Sequence, residues 1–232
     1  MRKSILALLI AGLLAVVGLV SCTASNSGQS GDTATAEASA SPSAEVTVPA
    51  DRMDQVAPSD AQAITDPANP EATLVLFTDY QCPYCAQMDS VIQEVKDNYG
   101  DRVRILVRNY PLPKHANAAP AAQAAEAAAE QGAFEEMSAS IFEHQQDWKT
   151  LSAEEAEDAF VSYAEDLGLD TEKFRTDYSS EEIRNRVNKD LQDSQDLQLP
   201  GTPSLILDNR ILELDAVDYG AIQEQLDAAL PN

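Results

Sequence analysis

The chain has 232 residues and a formal net charge of −24, with 15 basic residues against 39 acidic ones. An acid excess on that scale repels phosphate backbones, which argues against nucleic acid as a partner. It says nothing about fold, which has to be read from the order of apolar and turn-forming segments.

Arg2 and Lys3 precede an unbroken run of small or apolar residues over 5–20. This is the layout of a secretory signal, and the run is shorter than the roughly 20 residues a helix needs to span hydrocarbon. It ends in Leu19-Val20-Ser21-Cys22, which resembles the bacterial lipobox. That resemblance implies a lipid attachment at Cys22, cleavage after residue 21, and a protein anchored by lipid to the outer face of a bacterial membrane. Residues 23–56 are mostly Ser, Thr, Ala, Gly and acidic, too polar to offset the entropy of ordering, and read as a flexible tether. The folded domain is expected over 57–232, a length that suits a single core.

The stretch 54–70 carries Pro and Asp turn signals and is expected to form the entry to the fold. The run 73–77 (Thr-Leu-Val-Leu-Phe) predicts a strand buried on both faces, at the centre of a sheet. Met88, Val91, Ile92 and Val95 then recur at helical spacing, with Asn98-Tyr99-Gly100 as a stop. Residues 103–107 predict a second strand, parallel to the first across the helical crossover. Helices are expected through an insertion over about 114–198, beginning with the alanine-rich stretch 118–129. Ser152-Ala153-Glu154-Glu155 reads as a capping box there. Phe160, Tyr163, Ala164 and Leu167 form one packing stripe, and Ile183, Val187 and Leu191 another. Two short strands around Asp208-Asn209 predict a hairpin, and Tyr219, Ile222 and Leu226 mark a closing amphipathic helix.

If Cys22 carries lipid, the other two of the three cysteines, Cys82 and Cys85, form one pair in a compartment where disulfides persist. The loop between them is too short for a crosslink to constrain the unfolded chain much, so chemistry is the better reason for the pair. Cys82 stands where the central strand ends and a helix begins, where free N–H groups and the helix dipole favour a thiolate. Pro83 suits the first helical position, since its missing N–H costs nothing there. Cys82 is therefore expected to be the exposed nucleophile and Cys85 the deeper, resolving sulfur. A lone C-x-x-C is also half of a zinc site, but no second pair exists. His115 and His144 are too far apart to read as ligands, and each reads as a surface or packing residue. No metal is expected.

The segment Phe77-Thr78-Asp79-Tyr80-Gln81-Cys82-Pro83-Tyr84-Cys85 resembles the active-site segment of the DsbA-like thioredoxin-fold oxidoreductases. Gly201-Thr202-Pro203-Ser204, leading into an apolar strand, is similar to that family's cis-proline loop. The resemblance spans about 66–230. It implies an α/β thioredoxin fold with an inserted helical subdomain, a cis peptide before Pro203, and Thr202 lying near the sulfurs. It also implies that Pro83, Tyr84, Thr202 and Pro203 meet the substrate. Some relatives carry a buried acid in the strand before the motif, and 73–77 contains none. Asp79 is the nearest acid, readable as an ordinary strand-end residue or as an aid to proton transfer from Cys85.

The activity so implied is thiol–disulfide exchange on exported proteins by a monomer, with the Cys82–Cys85 pair as the redox group and no bound cofactor. Forming disulfides, with a membrane redox partner to recharge the pair, is the expected direction. The same residues would also serve a reductase or isomerase supplied with electrons across the membrane, or a non-catalytic binding lipoprotein with an inert disulfide.

Overall fold

The computed structural model describes residues 46–231; the signal-like run, Cys22 and the tether as far as residue 45 lie outside the described residues. A 3₁₀ turn at Ala50–Arg52 leads into α1 (Met53–Val56), β1 (Gln62–Thr65), β2 (Ala72–Thr78), α2 (Pro83–Tyr99) and β3 (Val103–Asn109). Then come α3 (Ala118–Ala129), α4 (Phe134–Glu143), α5 (Gln145–Trp148), α6 (Ala153–Asp166), α7 (Thr171–Tyr178) and α8 (Glu181–Asp196). The chain closes with β4 (Ser204–Leu207), β5 (Arg210–Ile211) and α9 (Tyr219–Ala229).

The five strands form one sheet in the order β1-β3-β2-β4-β5, so the apolar run becomes its central strand. β2 pairs in parallel with β3, from Ala72 opposite Val103 to Thr78 opposite Asn109, and antiparallel with β4, Leu74 opposite Leu207. Leu74 and Leu76 face one apolar cluster with Met88, Ile92 and Val95 of α2 and Ile222 and Leu226 of α9. Val75 and Phe77 face another with Leu106 and Ile206. Burial of each such side chain contributes about 1.5–3 kcal/mol, which holds the end of β2, and hence the start of α2, on a rigid base. At the other end of α2, Gly100 allows a close approach: a Cβ there would lie 2.6 Å from the Lys96 carbonyl oxygen and 2.9 Å from Thr65 Cγ2.

The insertion over 114–198 is helical from α3 to α8. The buried face of α3 consists of alanines except for Glu126, and their small side chains let α4, α6, α7 and α8 pack around it. The capping box forms as expected. Ser152 Oγ accepts from Glu155 N at 3.3 Å, and Glu155 Oε2 accepts from Ser152 N at 3.0 Å.

One expectation needs correction, and one strand was not foreseen. The tether does not reach residue 56: Val48 is 3 % exposed, Val56 is fully buried, Val48 N donates to Asn209 O, and Ile211 N donates to Val46 O. Average composition hid three well-spaced valines that dock against the hairpin and the apolar cluster around Phe77. The entry segment 54–70 holds a strand the sequence did not signal, β1, antiparallel to β3. Its residues are half-buried or exposed, and its register slips between Ala63 and Thr65, so it lacks a clean alternation in sequence.

A buried charged cluster joins the insertion to the sheet. Arg108 on β3 is 1 % exposed. Its Nε donates to Asp190 Oδ1 at 2.8 Å, and its Nη2 donates to Asp193 Oδ2 at 2.6 Å. Its Nη1 donates to the carbonyl oxygens of Gln55 and Val56. The guanidinium also lies 5.5 Å from the centre of the Phe77 ring. Asn109 continues the cluster, donating to Asp190 and to the buried Glu126, which also accepts from Gln62 and Arg186. Burial raises the Glu126 pKa, while the bonds from Gln62, Asn109 and Arg186 oppose that rise.

Candidate active site

β2 ends at Thr78, and the chain turns through Asp79, Tyr80 and Gln81 to reach Cys82, the N-cap of α2, with Pro83 in the first turn. Tyr80 is fully buried against Phe142, its hydroxyl donating to Ser138 Oγ at 3.2 Å. Gln145 Nε2 donates to the carbonyl oxygens of Tyr80 and Cys82 at 2.8 and 3.0 Å. Gln81 accepts from Asn117 N and donates to Lys149 O. The reactive turn is therefore clamped to the helical insertion by two glutamines as well as by the strand beneath it.

Both cysteines are free thiols. Cys82 is 5 % exposed, less than expected for an exposed nucleophile. The cis Thr202–Pro203 loop covers it, with Cys82 Sγ 3.5 Å from Thr202 O. What Cys82 reaches is a cleft of about 710 Å³, walled by Pro83, Tyr84, the 112–115 loop, Pro200 and Thr202. An apolar groove of about 410 Å³ lies on the other side of Tyr84, between Met88, Pro203, Leu212 and Val217. Tyr84 is 61 % exposed between the two.

The sulfurs are electrostatically unlike. Cys82 is lowered from an ordinary 9.0 to about 5, first by a hydrogen bond from the Cys85 thiol and then, against a desolvation cost, by the N–H groups of Cys85 and Tyr84 and by Thr202. The Thr202 hydroxyl is buried with no hydrogen-bond partner among the described residues, so it is free to turn toward a thiolate. Cys85 is fully buried, and burial raises its pKa, as does the neighbouring Cys82. The arrangement yields one stable thiolate facing the cleft and one protonated thiol beneath it. Because the folded pKa of Cys82 is depressed, its ionisation stabilises the reduced protein above the unfolded thiol pKa, and that contribution is lost as pH falls through about 5. Ultraviolet titration of the reduced protein is expected to show a thiolate midpoint near 5 that disappears in Cys82→Ala and rises in Thr202→Val. A wild-type midpoint of about 8 or above, as in an ordinary thiol, would contradict this account.

Asp79 is no ordinary strand-end residue. It is 1 % exposed; its Oδ1 accepts from Gln81 N, its Oδ2 accepts from Leu112 N, and its backbone N donates to Cys85 Sγ at 3.4 Å. His115 Nδ1 lies 2.7 Å from the same Oδ2. The carboxylate thus meets the 112–115 loop, while the amide meets the resolving sulfur. Sequence reasoning placed His115 at the surface or in packing, and it lines the cleft instead. His144 does lie at the surface, stacked on Tyr163. Gln145 carried no sequence signal at all. Among the described residues, no group of three or more His, Cys, Asp or Glu is placed to hold a metal ion.

The family model Thioredoxin_4, described as Thioredoxin, matches residues 66–228. A thioredoxin-like oxidoreductase from Silicibacter pomeroyi DSS-3 is similar at 27 % identity and a TM-score of 0.62, covering 76 % of this chain and 96 % of that one. The thiol-disulfide exchange protein alpha-DsbA2 from Wolbachia pipientis shares the fold at 18 % identity and a TM-score of 0.67, covering 77 % of this chain and 91 % of that one. Among curated proteins, a Na(+)/H(+) antiporter NhaA 1 of Mycolicibacterium vanbaalenii is 36 % identical over 160 residues, 67 % of this chain and 24 % of that protein. This chain spans about a quarter of the length of the curated relatives it matches, and none of its described helices is long and apolar enough to cross a membrane. By the match over most of its length, the chain belongs to the thioredoxin family, and its fold is that of the DsbA protein just described.

Proposed function

We propose that the protein is an extracytoplasmic thiol–disulfide oxidoreductase that forms disulfides in exported proteins, with Cys82-Pro83-Tyr84-Cys85 as its redox pair. The observation that carries this reading is the split between the sulfurs: Cys82, at the start of α2 and open to a cleft, is lowered to about 5, while Cys85 is raised by burial. A substrate thiolate attacks Cys82 of the oxidised pair, and Cys85 departs with the electron pair of the broken S–S bond. A second substrate thiolate then attacks the substrate sulfur of the mixed disulfide, and Cys82 departs as a stable thiolate. The substrate loses two electrons and the pair gains them, so the two sulfurs suffice and the reading calls for no further cofactor.

The same asymmetry supports the oxidising direction. Stabilising the Cys82 thiolate favours the reduced pair and makes the disulfide the stronger oxidant, whereas a reductase needs the opposite bias. The apolar groove beside Tyr84, bordered by Thr202 and Pro203, supports a polypeptide substrate, with Pro83 on the neighbouring Cys82 cleft. A membrane partner that accepts electrons would recharge the pair, and lipid on Cys22 would keep the protein, as a monomer, at that membrane.

Acid-trapping of cells followed by thiol alkylation tests the direction: a largely oxidised Cys82–Cys85 pool is expected at steady state. A mainly reduced pool in cells where the protein is functional would replace the oxidase by an electron-supplied reductase or isomerase. Fractionation tests the anchor, since Cys22→Ser is expected to move the protein from the membrane to the soluble fraction. Unchanged membrane association in that variant rules out lipid on Cys22.

A further inference from the structure

We propose that His115, held by Asp79, is the base of the Cys82 cleft and takes the proton of an incoming substrate thiol as that sulfur attacks the disulfide. This rests on the reading of the chain as a disulfide donor. Three observations carry it. The His115 side chain is 17 % exposed and lines the cleft that Cys82 reaches, so it is shielded yet open to a bound substrate. Its orientation is fixed from behind: Nδ1 is 2.7 Å from Asp79 Oδ2, and the carboxylate, with no exposed side-chain surface, is itself pinned by the amides of Gln81 and Leu112. With Nδ1–H donating to the carboxylate, Nε2 is left as an acceptor, and it has no hydrogen-bond partner among the described residues.

The other titratable groups lining the cleft are Cys82, Tyr84 and Lys114, with Asp79 behind the ring. In the oxidised pair Cys82 carries no charge, and the imidazole with its unpartnered Nε2 is the proton acceptor at hand in the cleft. A substrate thiol with an ordinary pKa of about 8.5 is only a few per cent thiolate at pH 7, which leaves room for a base to act.

The protons balance. The first substrate S–H gives its proton to His115, its sulfur bonds to Cys82, and the Cys82–Cys85 bond breaks with its electron pair on Cys85. That proton leaves the imidazolium for Cys85, whose pKa burial raises, and His115 is again free to accept. The second substrate S–H gives its proton to His115 in turn, its sulfur closes the substrate disulfide, and Cys82 leaves as a thiolate. That second proton passes from the imidazolium to solvent.

The test compares oxidised wild type with His115→Asn, whose amide can still donate to Asp79, on a reduced two-cysteine peptide from pH 6 to pH 9.5. The wild type is expected to be faster by about tenfold or more at pH 6, within the range of base catalysis. The two rates should converge above about pH 9, where the peptide is already thiolate and needs no base. A deficit of equal size at every pH would mean that His115 only braces the loop through Asp79, and overturns the proposal. If the variant folds poorly in a thermal melt, the wild-type profile decides. It must bend at a second ionisation below that of the peptide thiol, and a single bend at the thiol overturns the proposal. A wild type no faster than Cys82→Ala defeats the oxidase reading itself, and this inference with it.

Discussion

Replacing Cys85 with alanine is expected to leave the protein covalently trapped on its substrates, whereas replacing Cys82 should abolish exchange. With its pKa near 5, Cys82 at pH 7 is thiolate over thiol by about a hundredfold, while an ordinary cysteine is a few per cent thiolate. Cys82 also borders the cleft, and Cys85 has no exposed surface. In cells producing Cys85→Ala, substrates joined to Cys82 cannot be released by the neighbouring thiol, so mixed disulfides accumulate and run as high-mass bands on non-reducing gels. Cys82→Ala should show none and should fall to background in peptide oxidation. Mixed disulfides formed by Cys82→Ala instead would reverse the roles given to the two sulfurs.

The second large effect is on stability. Arg108→Met is expected to cost about 3–5 kcal/mol, because it strands charges that cannot reach water. Asp190 and Asp193 are 7 % and 5 % exposed, and Arg108 donates to both. Asp193 retains Lys189 as a partner, and Asp190 keeps only the bonds from Asn109. Losing that much from a domain whose total stability is of order 5–15 kcal/mol should show as a large drop in denaturant midpoint with little change in slope. Adding Asp190→Asn to Arg108→Met should recover part of the loss. A change below about 1 kcal/mol for Arg108→Met alone would mean that the carboxylates are solvated after all.

The sequence made these two predictions unequally accessible. The placement of the two sulfurs was legible because local rules coincide at one place: an apolar strand ends, Pro83 opens a helix, and the cysteines are spaced by one turn. The hairpin at Asp208-Asn209 and the Ser152 capping box were legible for the same reason, each being a signal of a few adjacent residues. Arg108, Asp190 and Asp193 were not legible. Charged residues on a strand and on a helix face read as solvated until the topology brings them together, and periodicity carries no information about that. His115 was overlooked in the same way, since its partner Asp79 lies 36 positions away across the crossover. β1 escaped because a half-exposed edge strand has no continuous apolar signature.

The register of β4 on β2 has one more consequence. Leu74 is hydrogen-bonded next to Leu207, and the whole helical insertion lies between them in the chain. The wall that Thr202 provides therefore arrives late during synthesis, after both cysteines and the His115 loop. A chain that stops at α8 holds every titratable group of the site but lacks the Pro200–Thr202 wall of the cleft. Bringing such distant segments together carries the entropy of closing a long loop, so contact order ties the site to completion of the chain. Reactivity here belongs to the motif as held by the folded helix start, with Thr202 as the late contribution of the finished topology.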